Sequence, residues 1–267
     1  MSEEKIQTFV STEWVASILD NKNFKIIDLR LKEKYEEAHI PGSVHIDSSV
    51  FIPKNEDGFN TLPDKKVVIN SLQEKGVNKE NTIIFVDDVF NLNCSLATWS
   101  LHYYNFTNVK LIDGALAKWE NENLPMGTNN HEIGRGDFYI DSCNEEIMIT
   151  SDEILISLKV GNFTFIDNRS IYAIEMSNMG SNIPNSLKYW WMDMYEELPN
   201  YFILKSCRNI EQALISIGIT KEKDIVVYCE SAPQSALVYL ILKEIGYSKV
   251  KLYLAGFDEW SVHCSYV

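Results

Sequence analysis

At 267 residues the chain is long enough for two modest domains, each with a core of its own. Apolar residues make up 45% and charged residues 23%, the balance of an ordinary soluble globular protein. The formal charge of −14 argues against nucleic acid or an anionic membrane surface as partner, while leaving room for a local basic site that takes a small anion.

The opening stretch, MSEEKIQTF, is acidic. It has neither the apolar core of a secretory signal nor the Arg-rich character of a mitochondrial presequence. No apolar run approaches membrane-spanning length, so a cytoplasmic protein is expected. The five cysteines, Cys94, Cys143, Cys207, Cys229 and Cys264, are odd in number, scattered and without a CxxC. They read as free thiols in a reducing compartment. His45, His102, His131 and His263 are isolated and form no ligand pattern, so no metal and no cofactor is expected.

In chain order, Phe9 to Asp20 reads as a helix capped by Ser11, with Trp14, Val15, Ile18 and Leu19 on its apolar side. Lys25 to Asp28 is a short strand, and His39-Ile-Pro-Gly42 is a turn. Asp64 to Lys75 is helical and closed by Gly76. Thr82–Val86 and Val109–Ile112 are strands, and a helix over 96–104 lies between them. The polar, Gly-rich stretch 127–146 reads as a linker.

After it the pattern starts again. Ile149-Thr-Ser-Asp-Glu-Ile repeats the opening helix, and Phe165-Ile-Asp-Asn-Arg169 repeats Ile26-Ile-Asp-Leu-Arg30. Gly218 to Cys229 aligns without a gap on Gly76 to Asp87. A repeat of this length means two copies of one domain, and strands alternating with helices imply a mostly parallel sheet covered on both faces. The expected fold class is α/β. The expected division is a domain over 1–128, a linker over 129–146 and a second domain over 147–267.

The second copy holds the more informative stretch. Ile225 to Tyr228 is an all-apolar buried strand, and Ser235 to Ile245 is an apolar helix packed on the sheet. Cys229 ends the strand just before the helix, at the edge where open α/β sheets bind ligands. The free N–H groups and positive dipole end of the helix favour a thiolate there, which makes Cys229 a candidate nucleophile. A small core cysteine is the plainer reading. The first copy has Asp87 at this position, a poor replacement for a core cysteine, so the position is expected to face solvent or polar groups in both copies.

With Asp28-x-Arg30, Tyr35…His39-Ile-Pro-Gly42…Asp47, Leu111-Ile-Asp-Gly114…Trp119 and Leu124-Pro125 in the first copy, and Asp167-x-Arg169-Ser170, Ile183-Pro184, Tyr228-Cys229 and Glu259-Trp260 in the second, the chain resembles the tandem-domain rhodanese sulfurtransferases, the thiosulfate and 3-mercaptopyruvate types. The resemblance implies two tandem rhodanese-like domains, each a small mostly parallel sheet flanked by helices. The first would be inert and the second would carry the active cysteine at the domain interface. It implies that a small anionic donor passes sulfane sulfur to Cys229, and that a thiol (a thioredoxin-like protein among them) or cyanide removes it. No cofactor is implied. A monomer or weak homodimer is the expected state.

The loop Cys229-Glu-Ser-Ala-Pro-Gln234 would cradle the persulfide with backbone N–H groups. It departs from the family's usual Cys-x-x-Gly-Val-Thr at Ala232, Pro233 and Gln234. Pro233 lacks an N–H and biases Ala232 towards extended backbone, although proline is also at home in a helix's first turn. Glu230 would repel an anionic donor and raise the cysteine pKa. Ser231 matches the serine of the mercaptopyruvate-type loop, which is thought to relay a proton, and so tilts the reading towards 3-mercaptopyruvate. Arg169 matches the family's substrate-binding arginine, with a structural ion pair as the plainer alternative, since Arg30 stands at the same place in the inert half. The second arginine of that type is missing, and Pro53 and Asn60 stand where it carries an aspartate and a histidine. Those departures support the competing reading, a rhodanese-like binding or regulatory protein with weak or no catalysis. A related cysteine phosphatase would need Cys-x5-Arg, and Ser235 stands at the arginine's place.

Overall fold

The computed structural model describes residues 7–88, 90–128, 134–176 and 182–263. Cys264, His131 and residues 129–133 of the stretch read as a linker lie outside them. The chain forms two compact units, Met1–Pro53 with Leu62–Asn144 and Glu197–Ile203, and Lys54–Thr61 with Glu145–Glu196 and Leu204–Val267.

In the first unit the elements run β1 (Phe9–Val10), α1 (Thr12–Ser17), β2 (Phe24–Asp28), α2 (Lys32–Glu37), β3 (Val44–His45), α3 (Lys65–Glu74), β4 (Thr82–Val86), α4 (Leu92–Tyr103), β5 (Val109–Ile112) and α5 (Ala115–Asn121). The five strands form one sheet in the order β1-β5-β4-β2-β3. Every pair in it is parallel. From residue 145 the chain runs β6 (Met148–Ile149), α6 (Ser151–Val160), β7 (Thr164–Asp167), α7 (Ile171–Met176), β8 (Leu187–Lys188), β9 (Tyr195–Glu197), β10 (Phe202–Leu204), α8 (Cys207–Ser216), β11 (Ile225–Tyr228), α9 (Pro233–Glu244), β12 (Val250–Tyr253) and α10 (Gly256–His263), of which β9 and β10 pair only with each other and Glu197–Ile203 groups with the first unit. The five-stranded sheet of the second unit, β6-β12-β11-β7-β8, repeats the first order and is again parallel throughout. Each domain is thus the parallel sheet flanked by helices that the repeat implied. Continuous apolar runs at β4 and β11 become central strands because both of their faces are covered, and every residue of Ile225–Tyr228 is fully buried.

The structure corrects the first element of each copy. Phe9 and Val10 do not begin a helix. They form an edge strand against Leu111 and Ile112. Met148 and Ile149 do the same against Leu252 and Tyr253. A two-residue strand is too short to show a period of its own, so the apolar pair merged with the amphipathic helix after it. Ser11 caps α1 as expected, accepting from the Trp14 amide. In α6 the cap is a full capping box between Thr150 and Glu153. The helix placed at 96–104 begins earlier, at Leu92. The stretch read as a linker is packed chain where it is described. Phe138 is fully buried, and its amide bonds Val77 O at 3.1 Å. Gly136 lies so close to the loop after α3 that a Cβ would sit 2.0 Å from Val77 O. Among the described residues no helix is long and apolar enough to cross a membrane.

Candidate active site

The site is built at the C-terminal end of β11, where the chain must turn sharply to enter α9. Two backbone bonds from α10 pin the turn: Phe257 N–H donates to Cys229 O at 2.8 Å and Asp258 N–H to Glu230 O at 3.1 Å. Gly256 makes that approach possible. Its φ is +71°, and a Cβ on it would lie 2.3 Å from Glu230 O. The first unit repeats the arrangement, with Leu116 N–H on Asp87 O and Ala117 N–H on Asp88 O.

Cys229 is fully buried. The Ser235 hydroxyl lies 3.4 Å from Cys229 Sγ and 3.0 Å from Ala232 O, so one proton has two acceptors. Burial pushes the Cys229 thiol up to about 11, and the charge of Glu230 adds to the rise. The Ser235 hydroxyl, the Ser235 amide and the Ser231 amide pull the other way. Burial therefore opposes the thiolate character expected from the helix terminus. Desolvation of a fully buried sulfur outweighs a helix terminus, whose influence is on the order of 1 kcal/mol. Polar neighbours are present as expected, but solvent is not. Asp87 in the first unit is likewise buried, which raises its pKa. Amides of Asp88, Asn93 and Cys94 hold its carboxylate and lower it. Both loops therefore aim N–H groups at the side chain that ends the central strand.

Ala232 is not extended. Its φ is +77° and ψ −35°, at the N-cap of α9, with Pro233 in the first turn. The tight strand-to-helix turn sets this conformation against the preference of a residue before proline, and the strain is of order 1–3 kcal/mol. The amides that reach the sulfur are those of Ser231 and Ser235; Pro233, between them, has no N–H to add.

Arg169 is buried and forks onto Asp167, with Nε 2.9 Å from Oδ1 and Nη2 2.7 Å from Oδ2. Its guanidinium stacks 3.7 Å over the Phe257 ring. Arg30 makes the same fork to Asp28 in the first unit. The shared pair has the form of a structural ion pair that ties the strand end to the turn after it.

Around Cys229 the remaining site residues present acceptors. Both carboxylate oxygens of Glu230 and Oε1 of Gln234 are buried without a hydrogen-bond partner. Burial raises the Glu230 pKa, while its own backbone amide, too poorly aligned for a full hydrogen bond, and the charge of Arg169 pull it down. Ser231 is reached through its backbone. Its carbonyl accepts from Asn60 Nδ2, while Asn60 Oδ1 stays buried and unpartnered. Asn60 belongs to the second unit through the segment Lys54–Thr61. That segment closes on itself, with Asn55 Oδ1 accepting from Asp57 and Phe59 amides. Sequence reasoning missed Asn60 and Ser235 as members of the site. Their signals were present: Asn60 stands where the resembled family carries a histidine, and Ser235 where a phosphatase would carry arginine. Among the described residues no group of three or more His, Cys, Asp or Glu side chains is placed to hold a metal ion.

Comparison with known proteins agrees with this architecture. The model of the rhodanese-like domain matches twice, at residues 11–122 and 151–263. The 3-mercaptopyruvate sulfurtransferase of Escherichia coli K12 is 24% identical over 269 residues, covering 94% of both chains. The sulfur carrier protein TtuD of Thermus thermophilus is 27% identical over 276 residues, covering 95% of this chain and 93% of its own. The crystal structure of SseA from Escherichia coli, described as a 3-mercaptopyruvate sulfotransferase with the rhodanese fold, superimposes with a TM-score of 0.81 over 94% of this chain and 98% of its own, at 24% identity. Two matches that together span most of the sequence, on two sheets of identical strand order, place this chain in the rhodanese-like domain family.

Proposed function

We propose that this protein is a sulfurtransferase that moves sulfane sulfur from a small anionic donor, through a persulfide on Cys229, to a thiol or cyanide acceptor. The observation that carries the reading is the convergence of the Ser235 hydroxyl and the Ser231 and Ser235 amides on Cys229 Sγ, at the first turn of α9. The relatives named as sulfurtransferase and sulfur carrier support it. Catalysis is assigned to the domain from residue 147 onward, and the domain up to residue 128, with Asp87 in the cysteine's place, is inert.

In the first half-reaction the Cys229 sulfur attacks the donor's transferable sulfur, the thiol sulfur of 3-mercaptopyruvate or the outer sulfur of thiosulfate. The Sγ–S bond forms as the donor's bond to that sulfur breaks, and the electron pair leaves with the donor. With 3-mercaptopyruvate the departing group is the pyruvate enolate. The proton lost by Cys229 balances the one the enolate takes up to become pyruvate. A thiol held protonated until it reacts, as Cys229 is, suits that exchange. Glu230, beside the cysteine, disfavours doubly charged thiosulfate more than singly charged 3-mercaptopyruvate, so the latter is the preferred donor. Ser231, two residues after the cysteine, is assigned to the proton's path.

The full burial of Cys229 favours a second reading, a rhodanese-like binding or regulatory protein with weak or no catalysis. Turnover separates the two. Pyruvate release from 3-mercaptopyruvate in the presence of a thiol should be measurable and lost in Cys229→Ser. Turnover retained in Cys229→Ser, or absent from the native protein, contradicts the sulfurtransferase reading.

A further inference from the structure

We propose that the sulfur acceptor is a thiol carrying a positively charged group, selected by the unpartnered oxygens beside Cys229; the inference rests on the sulfurtransferase reading above. Four acceptor atoms at this loop have no hydrogen-bond partner: Glu230 Oε1 and Oε2, Gln234 Oε1 and Asn60 Oδ1. Each is buried, and a buried polar atom left unpaired costs about 1–3 kcal/mol, more for a charge. They come from two stretches of chain that meet where Asn60 Nδ2 donates to Ser231 O.

The charges around them do not restore the balance. Arg169 acts on Glu230, but its Nε and Nη2 are committed to Asp167. Asp167 and Asp258 add negative charge, and Lys54 acts on Asp258. A ligand that completes this set has to bring donors and positive charge. An ammonium offers three donors and no acceptor. Among acceptors, a carboxylate-bearing thiol or cyanide is disfavoured relative to a cationic thiol, for the same reason that doubly charged thiosulfate is disfavoured among donors.

The step itself needs no outside oxidant or reductant. The acceptor's thiolate attacks the outer sulfur of the Cys229 persulfide. The new S–S bond forms on the acceptor, the bond from Sγ to the outer sulfur breaks, and its electron pair stays on Sγ. The acceptor leaves as its own persulfide, and Cys229 regains a proton.

The test compares a cationic with an anionic thiol reagent at Cys229. The rates of modification by 2-aminoethyl and 2-sulfonatoethyl methanethiosulfonate are read at the Cys229 peptide by mass spectrometry, in the native protein and in Glu230→Gln. Taking the ratio in each protein cancels the reagents' intrinsic reactivities and the burial of the sulfur. The cationic-to-anionic ratio should be about tenfold higher in the native protein than in Glu230→Gln, a difference of about 1.4 kcal/mol. With persulfidated protein, cysteamine should outrun 3-mercaptopropionate, and the advantage should shrink by a similar factor in Glu230→Gln. Equal ratios in the two proteins overturn the proposal even where a persulfide forms. A shifted ratio in a protein that forms no persulfide overturns the sulfurtransferase reading and leaves a thiol that selects cations. The melting temperature of Glu230→Gln, expected to match or exceed the native value, shows that the comparison is made on folded protein.

Discussion

The Ser235 hydroxyl stands 3.4 Å from Cys229 Sγ and shares its proton with Ala232 O. While Cys229 is a thiol, that proton can rest on the carbonyl. Once Sγ is an anion, the hydroxyl can turn to it without any backbone movement. Ser235→Ala should therefore raise the Cys229 pKa further and slow alkylation by iodoacetamide at pH 8 by roughly three- to tenfold, with little change in stability. The pH dependence of the alkylation rate checks it, and an unshifted profile contradicts the assignment.

The same buried thiol makes stability depend on pH. Its folded pKa of about 11 lies above the unfolded value of about 8.5, so between these the unfolded chain has released a proton that the folded chain keeps. Stability from this group is present below the window and falls as pH rises through it, by up to about 1.4 kcal/mol per pH unit. Urea unfolding of the native protein and of Cys229→Ala should give curves that converge as pH rises from 8.5 to about 11. Parallel curves are the contrary result.

Ala232 holds φ +77° where the resembled family has glycine. Ala232→Gly should stabilise the protein by up to about 1 kcal/mol, the relief of strain exceeding the backbone entropy that glycine adds to the unfolded chain. Chemical denaturation gives the answer, and a loss of more than about 1 kcal/mol would show that the alanine methyl has a packing role.

Most of the fold could be read from the sequence, because the signals were long. The gapless match of Gly76–Asp87 to Gly218–Cys229 covers a strand and the turn before it, and both became central strands. Edge strands of two residues, at Phe9 and Met148, carried no period and were absorbed into their neighbours. The site was legible at Cys229, whose place at a strand end follows from local pattern alone. Its environment was not. Whether the sulfur meets solvent depends on α10, whose Gly256 closes on the loop, and on Asn60, which is 171 residues from Ser231 in sequence. Arg169 was legible as a position but not as a partner, since the acid it holds, Asp167, lies two residues away and reads equally well as part of the strand.

Gly256→Ala should cost about 3 kcal/mol or more. The added Cβ would meet two backbone oxygens, Glu230 O at 2.3 Å and Cys229 O at 2.8 Å, neither of which can swing aside. The lost bonds are those that pin the cysteine loop, so sulfur transfer should fall with stability. Thermal unfolding and turnover on the same preparation test this; a variant with native stability would mean that α10 can shift freely.

The most direct test of the account is the intact mass of the protein after incubation with 3-mercaptopyruvate, and separately with thiosulfate. The predicted result is a gain of one sulfur atom, reversed by a thiol, absent from Cys229→Ser, and larger with 3-mercaptopyruvate. No gain with either donor, or the same gain in Cys229→Ser, would contradict a persulfide carried on Cys229.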